Sequence, residues 1–218
     1  VHRNLALVYF NKYDKKEEAV KQMEIAFNLN KKDARIFMEL DQIYKKMGMT
    51  YKERLNGIYS EYPEVVEVRD DLCVEYATLL NMSGKNKEAL DFIMAHKFHP
   101  WEGGEGKVTT QYTVALTELA KAFIKAEDYK TAIEYLERAL VYPDNLGEGK
   151  LEGTKDNNIY YYLGIAFTAL GEHDKAKTCF ENALEGTDSP AGMMYYNDQP
   201  ADMILYQGMA LEKLGDED

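Results

Sequence analysis

Trp101 and Glu102 in one short segment, with Asp144 and Asn145 in another, are the residues whose types and spacing come nearest to a binding chemistry. The segments, His99-Pro-Trp-Glu-Gly-Gly-Glu-Gly-Lys-Val108 and Tyr142-Pro-Asp-Asn-Leu-Gly-Glu-Gly-Lys-Leu151, are copies offset by 43 residues. An aromatic face beside carboxylate and amide acceptors suits a sugar, a peptide or a partner domain. A plainer reading is architectural: proline ends one helix, Gly-Glu-Gly-Lys re-enters the next, and both copies reverse the chain across the same gap. Other chemistries fail on residue type. Gly-Lys ends a phosphate-binding loop, but the required leading glycine is Trp101 or Asp144, the required Ser or Thr is Val108 or Leu151, and no strand precedes either copy. His96 and His99 lie three apart, yet two ligands without a nearby third make a poor metal site, so neither metal nor other cofactor is expected. The carboxylates fall on helix surfaces, and no Ser-His-Asp or Cys-His set can be assembled, so the chain reads as non-enzymatic.

Net charge is −12 over 218 residues and is unevenly placed: residues 1–60 hold 12 Lys and Arg against 8 Asp and Glu, the remainder 14 against 30. The acidic part repels phosphate backbones, which excludes nucleic acid as its partner. Cys73 and Cys179, 106 residues apart in different helices, argue against a disulfide and for a reducing, cytoplasmic location. No apolar run approaches the roughly 18 to 20 residues that cross a bilayer, and residues 1–12 form an amphipathic helix rather than a signal sequence, so no membrane partner is expected. The chain lacks an initiator Met, starts inside a repeat and stops after Gly215 within a hairpin, so a segment of a longer protein is expected.

These residues must be positioned by helices. Tyr160-Tyr-Tyr-Leu-Gly-Ile-Ala-Phe-Thr-Ala-Leu-Gly-Glu-His-Asp-Lys-Ala-Lys-Thr-Cys-Phe-Glu-Asn-Ala-Leu184 alternates large and small residues so that Gly164 and Ala176 mark where two helices cross, beside Leu163, Phe167 and Phe180. The first-helix pattern recurs at Leu5-Ala6-Tyr9, Leu40-Asp41-Tyr44, Tyr76-Ala77-Leu80 and Leu119-Ala120-Phe123, and begins again at Gln207-Gly208-Leu211. Second helices show Ala19-Met23-Ala26, Ala89-Ile93-His96, Ala132-Leu136-Ala139 and Ala176-Phe180-Ala183, whereas the second repeat has Glu53, Gly57 and Ser60 and should pack loosely. Turns fall at Gly48, Gly84, Gly171 and Gly215. Small residues of successive first helices at 6, 41, 77, 120, 164 and 208 place repeats at about 2–33, 34–63, 66–98, 109–142 and 156–186 and a half repeat at 199–215. The last three junctions carry insertions, 99–108, 143–155 and 185–198, expected along one rim.

The pattern resembles tetratricopeptide repeats, which implies an all-α, right-handed α-solenoid of about five and a half helical hairpins in one domain over 1–218. The resemblance also implies a concave groove lined here by Asn158, Tyr161, Tyr162 and Ile165, then Asp202, Leu205, Tyr206 and Met209, an aromatic surface without the Lys-Asn-Arg set that grips a C-terminal carboxylate. Tyrosine is abundant, 17 of 218 residues, with clusters at Tyr160–Tyr162 and at Tyr195, Tyr196 and Tyr206. Phe98-His-Pro-Trp-Glu-Gly-Gly-Glu-Gly-Lys107, Tyr142-Pro-Asp-Asn-Leu-Gly-Glu-Gly-Lys150 and Tyr196-Asn-Asp-Gln-Pro-Ala-Asp202 are similar to segments of an uncharacterised family of large bacterial proteins. That likeness implies an aldose-epimerase-like β-sandwich preceding the repeats and a link to carbohydrate metabolism. The expected function is a non-catalytic interaction module, its partner a protein or peptide and first of all its own missing N-terminal domain. The alternatives are that loops and groove bind glycan, or complete a carbohydrate-active site, and plain structural spacing.

Overall fold

The computed structural model describes residues 1–190, 192 and 198–215, so Tyr195 and Tyr196 lie outside the described residues. Among those described the chain is all α, with twelve α-helices and no strand, grouped into two compact units, Val1–Lys85 and Asn86–Asp218.

The first unit holds α1 (His2–Lys12), α2 (Lys16–Leu29), α3 (Ala34–Lys46), α4 (Tyr51–Arg54), α5 (Pro63–Val66) and α6 (Asp70–Met82). α1 and α2 pack as a hairpin, with Ala6, Ala19 and Met23 fully buried. Small side chains let two backbones approach, and the larger ones beside them fill what remains. α3 begins at Asp33, whose carboxylate accepts from the backbone N–H groups of Arg35 and Ile36, both at 3.1 Å, satisfying donors that a first turn leaves without partners.

The second repeat departs from the pattern for a reason visible in its residues. α4 starts well, on a reciprocal cap between Thr50 and Glu53, but ends at Arg54 and widens into a π-helical turn over Leu55–Tyr59 in which Gly57 (φ −85°, ψ −107°) leaves helical geometry. Its neighbour α3 carries Asp41 where other first helices carry Ala or Gly. Asp41 is fully buried, and Arg54 donates to both its oxygens, at 2.8 and 2.6 Å. Arg54 also donates to Glu75 at 2.5 Å, and Lys45 reaches the same carboxylate at 3.0 Å. An ionic network thus replaces contact between small residues. Burial holds the Asp41 carboxyl above the usual carboxylate range against the pull of Arg54; Glu75 is also desolvated, but hydrogen bonds from Arg54 and Lys45 carry it below that range.

The second unit holds α7 (Asn86–Ala95), α8 (Lys107–Lys125), α9 (Tyr129–Ala139), α10 (Asn157–Ala169), α11 (His173–Asn182) and α12 (Ala201–Leu214). α9 packs on α8 and α10, and α11 on α10 and α12, while α10 also touches α8 and α12 directly, so α8, α10 and α12 form one row. Gly164 sits at the α10–α11 crossing: a Cβ there would come within 2.5 Å of the Phe180 ring. Ala120, Ala132 and Ala139 are fully buried in the preceding pair. Hairpin turns close with the same two bonds in both units. Gly171 N–H donates to Thr168 C=O and Glu172 N–H to Phe167 C=O; Gly48 and Met49, and likewise Gly84 and Lys85, repeat this at the ends of α3 and α6. At the end of α8 the residue is Glu127, which takes φ of 61° without glycine's freedom.

Candidate interaction groove

The duplicated segments fold differently, and each fold follows from what its residues can reach. In the first copy Lys107 is already the first residue of α8; in the second, Lys150 stays outside α10 because its ammonium donates to the Leu140 carbonyl at 3.0 Å and pairs with Asp156 at 2.5 Å. The two copies dock on one another. Phe98 N–H donates to Asn145 C=O at 2.8 Å, and Glu148 accepts from Gly106 N–H at 3.0 and 3.1 Å, placing a carboxylate at the start of α8. Gly147 is required at the crossing: its φ is 78°, and a Cβ would lie 2.7 Å from the Phe98 carbonyl oxygen.

Of the loop residues expected to bind, Asn145 has its amide engaged, donating to the carbonyls of Ile93 at 2.9 Å and His96 at 3.0 Å, the end of α7. Trp101 is half-buried; its indole lies against Gly104, where a Cβ would meet the ring at 2.1 Å. Trp101 and Glu102 line a cavity of about 260 Å³ with His99, Glu105 and Leu146. Asp144 is exposed in a 3₁₀ turn, Asp144–Leu146. His96 packs between Phe92 and Phe98, with ring centroids 6.3 and 4.5 Å away.

The tyrosines come together along α10 and α12. Ring centroids of Tyr161, Tyr162 and Tyr206 lie 5.4 to 5.9 Å apart, as a triangle. Tyr161 is buried, with its ring 6.0 Å from that of Phe180, whereas Tyr162 and Tyr206 are half-exposed. Lys121 of α8 stands over the Tyr162 ring at 5.7 Å. Burial, then the hydrogen bond with Tyr162, pushes the Tyr206 phenol up to about 12, so this phenol is uncharged at neutral pH. Leu205 beside it is 62% exposed. Neither Tyr162 nor Tyr206 lines the Trp101 cavity.

Asn158 and Asp202 belong to a different hollow, of about 320 Å³, which the sequence alone did not delineate. The first turns of α8, α10 and α12 supply Thr110, Asn158 and Asp202, and all three insertions contribute, through Gly106, Glu148 and Asp198. Val114, Ile159 and Met203 provide its apolar surface. Asn157, one residue before the expected Asn158, is 1% exposed and donates to the carbonyls of Ala183 and Glu185, both at 2.7 Å, tying α10 to the end of its hairpin. Gln207 does the same from α12, to Leu184 at 3.0 Å and Glu185 at 3.2 Å. Side-chain amides that donate to the carbonyls closing α11 are therefore structural ties here, a role that their polar character alone leaves open.

Two models of the tetratricopeptide repeat match the chain, at residues 115–148 and 159–185, which are the α8–α9 and α10–α11 hairpins. TPR repeat-containing protein YpiA of Bacillus subtilis (strain 168) is 24% identical over 201 residues, 90% of this chain; the chain spans 41% of that relative's length. Among solved structures, MamA aligns over 84% of this chain and 88% of its own, with TM-score 0.52 and 14% identity. YrrB, described as a TPR protein with an unusual peptide-binding site, aligns over 84% of both chains with TM-score 0.51 and 16% identity. Residues 115–148 and 159–185 thus match tetratricopeptide repeats, and the fold of the chain is that of these solved proteins. No helix among the described residues is long and apolar enough to cross a membrane.

Proposed function

We propose that this chain is a non-catalytic interaction module that takes a peptide segment of a partner protein along the row of α8, α10 and α12. The observation that carries the reading is the hollow formed by the first turns of these helices, continued along α10 and α12 by the half-exposed rings of Tyr162 and Tyr206 and by exposed Leu205. Aromatic rings with few rotatable bonds and an exposed leucine bind with little loss of side-chain freedom. YrrB, which shares the fold, is itself a peptide binder by its description, and this supports the same use here. Within a longer protein, the aldose-epimerase-like domain implied by the sequence likeness is the first candidate partner. Selection of a random displayed-peptide library on the chain tests the reading: enriched peptides should lose about tenfold or more in affinity on Tyr206→Ala or Leu205→Asp. A library that yields no enriched peptide, or peptides indifferent to both substitutions, would overturn it.

A second reading is favoured by the cavity beside Trp101, where one aromatic face meets Glu102 and Glu105. Such a site suits a sugar ring, and would connect the module to carbohydrate handling. Trp101 is the only tryptophan, so its fluorescence reports the site without a label. Saturable quenching by a member of a mono- and oligosaccharide panel supports this reading; an unresponsive signal across the panel removes it.

A further inference from the structure

We infer that the peptide accepted by this groove is basic, with a lysine or arginine placed beside an apolar residue; this rests on the peptide-binding reading above and names the chemistry of its occupant. The hollow itself is acidic at its rim. Its rim carries Glu148, Asp156, Asp198 and Asp202, against Lys155 as the one lining cation among the described residues. Glu148 accepts from Gly106 N–H and Asp156 is neutralised by its ion pair with Lys150, which leaves Asp202, exposed on the first turn of α12, as the carboxylate open to a cation. The surface beneath is apolar, with Val114 and Met203. A guanidinium or ammonium has a long aliphatic stem, which can lie on such a surface while its charged end meets the rim.

The wider field agrees in sign. Residues 1–85 hold 14 Lys and Arg against 14 Asp and Glu, whereas residues 86–218 hold 12 against 24, so the net charge of −12 belongs entirely to the unit that contains the groove. A field of one sign raises the encounter rate with oppositely charged partners and disfavours acidic ones. Tyr162 and Tyr206 offer ring faces that also attract cations, a use that Lys121 already makes of Tyr162.

The library selection decides between outcomes that sink different statements. Enriched sequences rich in Lys or Arg next to an apolar residue are the expected result, with affinity falling about tenfold at high salt. Asp202→Lys should weaken the selected peptides about tenfold and Asp202→Asn by less, with an unchanged melting temperature to show an intact fold. Enrichment of acidic or uncharged sequences whose binding still depends on Tyr206 would overturn the basic preference and leave the peptide-binding reading standing. Basic peptides indifferent to Asp202→Lys and Asp198→Lys would overturn it too. No enrichment of any class would remove both.

Discussion

Asp41 shows at the scale of one residue how a repeat can break its own rule and still pack. The position is that of a helix-crossing alanine or glycine, and a fully buried carboxylate there holds only because Arg54 meets both oxygens and Glu75 shares the guanidinium. Asp41→Ala leaves that guanidinium buried with half its partners, and should destabilise the protein by about 3–5 kcal/mol in chemical denaturation; Asp41→Ala with Arg54→Met should recover much of the loss. The place of Asp41 at a helix crossing was legible from the repeat spacing. Its partner was not, since Arg54 lies in the one helix whose pattern fails. Asn145 posed the opposite problem: a polar loop residue reads as an available acceptor until the docking of two loops shows its amide spent on the end of α7. The thiols offer another check at this scale. Burial pushes Cys73 up to about 12 and raises Cys179 as well, so both keep their protons in the folded state at pH 8, where an unfolded thiol is partly ionised. The shift contributes stability that is lost as pH rises from the unfolded value toward the folded one. Alkylation at pH 8 should be slow at both cysteines in buffer and rapid in denaturant; fast native labelling of either would contradict their burial.

Among elements, the hairpins were the most legible part, because spacing alone fixes which residues face the partner helix. Gly164 against Phe180 follows directly from that register. Ala139 is fully buried in α9 by the same register, so Ala139→Leu should destabilise by about 1–3 kcal/mol through overpacking, and a neutral melting curve would contradict the register. The turn after α8 offers a gain rather than a loss. Glu127 adopts positive φ where the turn after α10 has Gly171, so Glu127→Gly should raise stability by about 1 kcal/mol, read from the denaturation midpoint. What spacing could not supply was the fate of the insertions. Their copied sequences suggested copied folds, but Lys107 enters a helix while Lys150 is held back by Leu140 and Asp156, because each copy meets different neighbours. α4 likewise could be expected to pack loosely, but not to widen at Leu55–Tyr59 around a buried ion network.

For the molecule as a whole, sequence and structure divide the explanation. Repeat architecture and the concentration of negative charge toward the later residues are properties of composition and period, readable without coordinates. The hollow is not, since it needs three first turns and three insertions from residues 106–203 to meet. Repeat register places Asn158 and Asp202 on the groove, but the hollow they share with Glu148 and Asp198 emerges only from the fold. The most direct measurement of the central claim is hydrogen–deuterium exchange of the chain with and without a library-selected peptide. Added protection is expected in 107–114, 157–162 and 201–206, the first turns and aromatic stretch of α8, α10 and α12, with α9 and α11 unchanged. Protection confined to α9 and α11, or to 99–105 around Trp101, would contradict it.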